Sequence, residues 1–398
     1  MSTKTFPLSL LLCPRCGGKL EMFLYSFDPH YGLLRCGCGE LPIVHSIPIF
    51  REFATKAEVL SFIRERRTKE ALILTLGAFA RHKNFQRKGP HDPRTKPGLA
   101  RLHDLIDNPL MTAQQFLTAI VPPEEADLIF YRPASPAFMS GLCLSGLVKG
   151  AEGSIVHFSC GAGHLERALS IRLPPESLVG VGEDFALLYV ARRFMADGSH
   201  FVCASPGGKL PFRNSGAKVA IVEPEAYVDG FATEIDRIVE AEGLIVATQL
   251  SSPHDFLNRL GGRPGRGFSL ESMAKQFVEK RVFDASAKDS SDGPSAAVVT
   301  RNKEVFRKVD LEDVLGCRMP RLNPVYDLDD KGESFGARIR QGVPEGVEAR
   351  VLRAAGALPE EVQIQKQVLK EVQDGEISPQ VLELLAKLVV VDLPQDYS

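Results

Sequence analysis

One stretch constrains this chain more than any other: Ser154-Ile-Val-His-Phe-Ser-Cys-Gly-Ala-Gly-His-Leu-Glu-Arg-Ala-Leu169. Ile155, Val156 and Phe158 form a short apolar run, and Leu165, Ala168 and Leu169 then recur at helical spacing, so a strand should feed a helix through Gly161-Ala-Gly163. Glycines at that turn let the backbone approach a ligand at the start of the helix. A Gly-x-Gly pair also marks ordinary tight turns, so its meaning depends on the chain downstream of it. There the unit repeats. Leu178-Val-Gly-Val181 reads as a second strand with Phe185 to Met195 as its helix, and Phe201-Val-Cys-Ala204 as a third strand. Leu210-Pro-Phe212 closes a loop before a fourth strand, Lys218 to Val222. Glu234 to Val239 then reads as a helix ending at Glu242-Gly243, before a fifth buried strand, Leu244 to Thr248. Such alternation implies an α/β fold with a doubly wound, mostly parallel sheet.

Over roughly residues 150 to 250 the chain resembles the class I S-adenosylmethionine-dependent methyltransferases of the type 11-like kind. The resemblance rests on Ser159-Cys-Gly-Ala-Gly163, Gly180-Val181, Ala191-Arg192, Leu210-Pro-Phe212 and the Glu234 to Gly243 segment. It implies a seven-stranded sheet with the Gly161 turn at its carboxyl edge and S-adenosylmethionine as cofactor. Three positions depart from the pattern. His157 stands where the family approaches the methionine ammonium with an acid, Gly182 where an acid holds the ribose hydroxyls, and Ser205 where an Asp faces the adenine amino group. A charge-assisted hydrogen bond contributes about 1.5 to 3 kcal/mol, so three such losses would weaken binding by orders of magnitude unless compensated. Glu183 and Asp184 lie one and two residues past the expected ribose acid and could restore that contact. The resemblance therefore assigns Gly161, Gly163, Glu183, Asp184 and Ser205 to the cofactor. No catalytic base is named, because methyl transfer asks chiefly for alignment.

At the amino end, Cys13-Pro-Arg-Cys16-Gly-Gly and Cys36-Gly-Cys38-Gly place two cysteine pairs on turns, with a hairpin-compatible stretch from Leu20 to Leu34 between them. Four thiolates flanked by glycines suit structural zinc, with Cys13, Cys16, Cys36 and Cys38 as ligands; free or disulfide-linked cysteines are the alternative. With Leu41-Pro-Ile-Val-His-Ser-Ile-Pro-Ile-Phe50, residues 8 to 50 look like the small zinc-ribbon proteins that partner methyltransferases. His45-Ser46 stands where that pattern has Asp-Gly.

A net charge of −2 excludes a globally nucleic-acid-binding surface, and no apolar run approaches the length of a membrane span, so a cytoplasmic protein is expected. Locally, Arg64, Arg66, Arg67, Lys69, Arg81, Lys83, Arg87, Lys88, Arg94, Lys96 and Arg101 concentrate positive charge. That run is either a face for an anionic partner such as RNA or a solvated helix and linker; the second reading is preferred, since no aromatic platform accompanies it.

The expected organisation is a zinc ribbon over 1–50, a helical cap over 51–135 and a methyltransferase-like core over 136–310. An extension over 311–355 and a helical tail over 356–398 complete it. In the tail, Glu360 to Val372 reads as one helix and Ser378-Pro379 opens another, and both need a surface to pack on. Two functions compete. One is a methyltransferase-like protein with a degenerate cofactor motif. The other is an inactive relative serving as a scaffold or binding subunit with a protein partner or homologous subunit. Tyr227 near the fourth strand and Cys160 as a nucleophile are weaker candidates.

Overall fold

The computed structural model describes residues 6–25, 27–82, 85, 95–148, 153–223, 230–250, 264–280, 282–286, 295–310, 316–341, 343, 352–353, 356 and 358–398. Its centre is a seven-stranded sheet. In chain order, strands β1 (Glu21–Tyr25), β2 (Asp28–Cys36), β3 (Gly39–Val44) and β4 (Ile47–Pro48) form the amino-terminal sheet. The central sheet comprises β5 (Ile155–Phe158), β6 (Leu178–Gly182), β7 (His200–Cys203), β8 (Ala217–Val222), β9 (Val239–Leu250), β10 (Gly265–Ser269) and β12 (Ser295–Thr300), the short β11 (Val282–Asp284) lying outside it. The spatial order is β10-β12-β9-β8-β5-β6-β7. Strands β5 to β9 pair in parallel, and β12 runs antiparallel to both its neighbours. This is the doubly wound order of a dinucleotide-binding sheet with one antiparallel strand inserted before the last. It is the methyltransferase-like architecture the sequence implies.

Alternation along β5 fixes what lies on each face. Ile155 points into the core shared with the helices preceding β5, while Val156 and Phe158 point into the core on the other side. Phe158 there meets Phe212 and Phe231 edge-on, with ring centroids 5.9 and 5.5 Å away. On the first face lie α1 (Lys56–Arg64), α2 (Thr68–Phe79), α3 (Thr95–Asp107), α4 (Ala113–Ile120), α5 (Pro123–Phe130) and α6 (Pro136–Val148). The crossover helices α7 (His164–Leu169) and α8 (Phe185–Val190) join them; α9 (Phe231–Ile238) packs on the opposite face.

The amino-terminal sheet is built onto the β7 edge. The Phe50 amide donates to Cys203 O at 2.8 Å, Ile49 bridges Cys203 in parallel, and Leu11 bridges Phe212. An otherwise open row of backbone groups is thereby covered. The turn between β3 and β4 puts both His45 and Ser46 at positive φ, 51° and 63°. A tight hairpin of this kind demands left-handed residues, which Asp-Gly supplies at lower cost. Here Ser46 Oγ bonds His30 Nδ1 at 2.8 Å and the His45 ring lies 4.9 Å from Tyr189.

Three elements differ from the sequence reading. The helix before the fifth strand ends at Ile238, not at Gly243, and β9 starts at Val239. Ala217 pairs with Val239 and Val219 with Leu244, so the residues between form a bulge. A Cβ at Gly243 would fall 2.8 Å from Lys218 O, so the glycine serves close strand approach and no helix cap. Gly265 to Ser269, whose sequence reads as the end of a Gly-rich loop (Leu260 to Gly267) and the start of a helix (Phe268 to Phe277), is strand β10, and the helix runs from Leu270 to Lys280. In the tail, Glu361–Gln365 is a strand (β17), paired with Ser334–Ile339 (β16) beside Tyr326–Asp330 (β15). Val362 and Ile364 alternate with polar residues, a period-two pattern that outweighs the helical one after it. The following helix spans Lys366–Asp374 and closes at Gly375, φ 79°. Ser378 does cap the last helix, accepting from the Val381 amide at 3.2 Å with Pro379 in its first turn. Among the described residues no helix is long and apolar enough to cross a membrane.

Candidate functional site

In an open doubly wound sheet, ligands bind beyond the carboxyl ends of the strands where the strand order reverses. That point lies between β5 and β8, and there the structure assembles a buried group of four charged side chains. His157, on β5, donates from Nδ1 to Glu166 Oε1 at 2.6 Å; its Nε2 lies 3.5 Å from Glu223 Oε1, just past the end of β8. The other Glu223 oxygen is bonded by Arg132, from the turn before α6. His157 and Glu166 are 2% and 1% exposed, so water screens little of their charge, whereas Arg132 is only half-buried. Burial alone would push the imidazole down, but the Glu166 and Glu223 carboxylates outweigh it and raise His157 to about 10. Burial likewise opposes ionisation of Glu223, yet Arg132 and His157 hold it down at about 2. The two carboxylates thus favour a protonated His157, and with it the two bases and two acids of the group balance one another.

A cavity of about 360 Å³ opens beside this group. Gly161, Gly182, Glu183 and Asp184 line one side, and Arg81, Glu125 and Leu128 of the helical layer line the other. Gly161 has φ 55° and nothing within 4 Å of where a Cβ would be, an open cradle for close ligand approach. Gly163 does something else. A Cβ there would fall 2.7 Å from Ala191 Cβ, so this glycine lets α7 pack on the helix after β6. Gly182 could take a side chain only if Leu188 Cδ2, 3.1 Å from the added Cβ, gave way slightly.

The two candidate ribose acids separate cleanly. Asp184 Oδ1 caps α8 by accepting from the Ala186 amide at 2.8 Å, and its Oδ2 pairs with Arg81 at 2.9 Å. Burial nevertheless raises its carboxyl above the ordinary range. Glu183 is exposed at the strand end, its side chain 3.9 Å from Arg51, which donates instead to the Glu183 carbonyl at 2.8 Å. Ser205 is exposed and lines neither this cavity nor the small neighbouring one of about 40 Å³ bounded by Ala204 and Pro206. Cys160 lines the main cavity, but burial pushes its thiol well above the ordinary value, with Glu166 and Glu223 adding to the effect. It is held as a thiol. Tyr227 lies outside the described residues. Reading from the sequence missed Glu166, Glu223, Arg132 and Arg81. Only Glu166 left a trace, an acid three residues into a helix on the side where Leu165 and Leu169 are buried.

The loop ahead of α7 carries a further departure. Ser159 has φ 60°, a conformation that favours glycine. On its far side, Leu210-Pro-Phe212 is fixed by α9. Glu234 Oε2 accepts from the Leu210 amide at 2.8 Å, and Arg237 donates to Phe212 O at 2.7 Å.

At the amino end, one sulfur from each of Cys13, Cys16, Cys36 and Cys38 lies within 4.8 Å of every other. Cys13 and Cys38 approach to 3.3 Å and Cys36 and Cys38 to 3.1 Å. A tetrahedron of metal–sulfur bonds of about 2.3 Å needs edges of about 3.8 Å, between the two shortest separations of this cluster and its 4.8 Å bound. Hydrogen bonding to Cys36 and then Cys13 pushes the Cys38 thiol up to about 12, and a cation among the sulfurs would favour its thiolate. The donor set fits a metal with no open position for a substrate.

Among the described residues, most of the basic run has partners. Arg64 pairs with Glu40, Arg67 with Glu65 and Glu70, Lys69 with Asp107, Arg81 with Glu125 and Asp184, and Arg66 lies over the Phe27 ring. Lys83, Arg87, Lys88 and Arg94, and the Lys96 side chain, lie outside the described residues.

No protein-family model matches the chain, and no curated protein matches it. Among solved structures it is similar to a TehB-like S-adenosylmethionine-dependent methyltransferase from Corynebacterium glutamicum, at 16% identity over 40% of this chain and 86% of that one, TM-score 0.31. A second is an S-adenosylmethionine-dependent methyltransferase from Thermotoga maritima, at 14% identity over 45% and 94%, TM-score 0.31. A third is a chain from the complex of the Haloferax volcanii Trm112 methyltransferase activator with a methyltransferase, at 14% over 39% and 86%, TM-score 0.30.

Proposed function

We propose that this chain is an S-adenosylmethionine-dependent methyltransferase-like protein with a degenerate cofactor motif, holding its cofactor by the nucleoside and not by the ammonium. The observation that carries this reading is the cavity at the strand-order reversal, lined by the open Gly161 cradle, Gly182 and the exposed Glu183. Glu183 would hold the ribose hydroxyls and the Gly161 backbone would lie along the ligand. His157 would repel the ammonium. S-adenosylmethionine, when bound, supplies an electrophilic methyl group, and the cap side of the cavity, with Arg81, Glu125 and Leu128, would orient the acceptor and limit water. At the amino end, Cys13, Cys16, Cys36 and Cys38 would hold one structural zinc, to be checked by elemental analysis of protein purified without chelator.

A second reading is a catalytically inactive scaffold subunit. It draws on the commitment of Asp184, Glu166 and Glu223 to partners within the chain. Calorimetric titration with S-adenosylhomocysteine and with 5′-methylthioadenosine, which lacks the amino-acid end, separates the two. Nucleoside anchoring predicts that both bind, within about tenfold of each other. A hundredfold or greater preference for S-adenosylhomocysteine would mean that the ammonium is anchored after all. No binding of either ligand at millimolar concentration would establish the scaffold reading.

A further inference from the structure

A second cavity, of about 370 Å³, lies away from the sheet edge, between the β15–β16 hairpin, the Lys366–Asp374 helix and the last residues of the chain. Its volume is in the range of small-molecule sites. Leu328, Leu369, Val372 and Pro394 give it apolar walls, and Arg321 and Arg340 bring two guanidinium groups to it. Among the described residues no Asp or Glu side chain lines it, while Asn323, Gln373, Gln395 and Ser398 add polar groups to the wall. The two arginines are not alike. Arg340 is paired with Asp327 at 2.9 Å, whereas Arg321 meets, among the described residues, only the Met319 sulfur at 3.7 Å. A planar guanidinium with a thioether for company, facing a mixed chamber that no Asp or Glu side chain lines, has donors to offer an anion.

We propose that this cavity binds an organic monoanion, a carboxylate carried on an apolar body, with Arg321 as its counter-ion. The apolar walls take the body, and the guanidinium fork takes both carboxylate oxygens. Tyr397 forms part of the same wall, and its hydroxyl lies 2.8 Å from Nε2 of His164, which lines the sheet-edge cavity. The ligand would thus sit one side chain away from the candidate cofactor site, although its binding does not depend on what that site holds.

The test uses the full chain and two probes that share a tail and differ in charge, octanoate and octylamine, titrated by calorimetry with binding mapped by amide chemical shifts. Octanoate should bind saturably, shifting residues around Arg321 and Leu369, with octylamine at least about tenfold weaker. Arg321→Gln, at an unchanged melting temperature, should weaken octanoate about tenfold or more. Equal affinity for the two probes, no octanoate binding, or no change in Arg321→Gln would overturn the proposal. The comparison of probes on the unmodified protein stands even if the variant fails to fold.

Discussion

Two groups of four side chains frame this molecule, and they solve the problem of charge in opposite ways. The ribbon gathers Cys13, Cys16, Cys36 and Cys38, four donors of one kind that are balanced only by a cation from outside. The sheet edge gathers His157, Arg132, Glu166 and Glu223, two bases and two acids that balance each other. The first arrangement asks for a ligand. The second holds its charges within the chain, and under the proposed function its imidazole would stand where a carboxylate would otherwise meet the methionine ammonium.

The largest effect that would sharpen this contrast is metal removal. Structural zinc supplies about 10 to 16 kcal/mol of folding free energy in small metal domains, so chelation or Cys16→Ser should melt the ribbon. The central sheet, with its own core, should stay folded, although the β7 edge would lose its cover. Amide exchange should show protection lost over residues 8–50 and retained over β5, β6 and β8. Uniform loss of protection would mean that ribbon and core are a single cooperative unit.

At the sheet edge, breaking the internal pair should be costly because it strands a buried charge. Glu166→Gln is expected to destabilise the fold by about 3 to 5 kcal/mol in denaturant unfolding. A change below about 1 kcal/mol would mean that the His157–Glu166 contact is electrically idle.

The same network sets a pH dependence with a definite sign. The unfolded imidazole titrates near 6.5 and the folded one near 10, so the stability from protonated His157 is complete below about 6.5 and is lost as pH rises through about 10. His164 acts oppositely. Burial, with Arg132 nearby, lowers it to about 3, so its contribution is present above about 6.5 and erodes as pH falls toward 3. In a His157→Gln, Glu166→Gln double variant the alkaline loss should shrink while the acid loss persists. An unaltered alkaline limb would assign it to other groups.

The smallest expected effect lies in the loop itself. Ser159 at φ 60° carries a side chain in left-handed backbone, and Ser159→Gly should stabilise by about 1 kcal/mol in thermal unfolding. A loss of stability would show that the Ser159 side chain makes up for its backbone.

How much of this was legible in the sequence differs between the two regions for a physical reason. The four clustered cysteines are local pairs, Cys13 with Cys16 and Cys36 with Cys38, joined by one hairpin, so spacing alone picked out the residues that the structure brings together. The central strands were legible because each is a short apolar run buried on both faces. The charge network was not. His157, Glu166, Glu223 and Arg132 come from a strand, a helix, a strand end and a turn of the cap; the turn after β5 folds Glu166 back onto His157, and the parallel pairing of β5 with β8 brings Glu223 to them. Sequence could show that an acid was missing at His157 and could not show what the histidine pairs with. The β17 strand and the Gly243 bulge were misread because pairing with a distant partner, and not local periodicity, decides them.

The central claim is that His157 is a cation held by two carboxylates at the carboxyl edge of the sheet. Titrating the histidine ring resonances by NMR, with His157→Gln to assign the signal, tests it most directly. The account predicts that the His157 ring stays protonated from pH 6 to 9 and titrates near pH 10. A His157 ring that is neutral at pH 7 would contradict it and return that position to a group able to meet an ammonium.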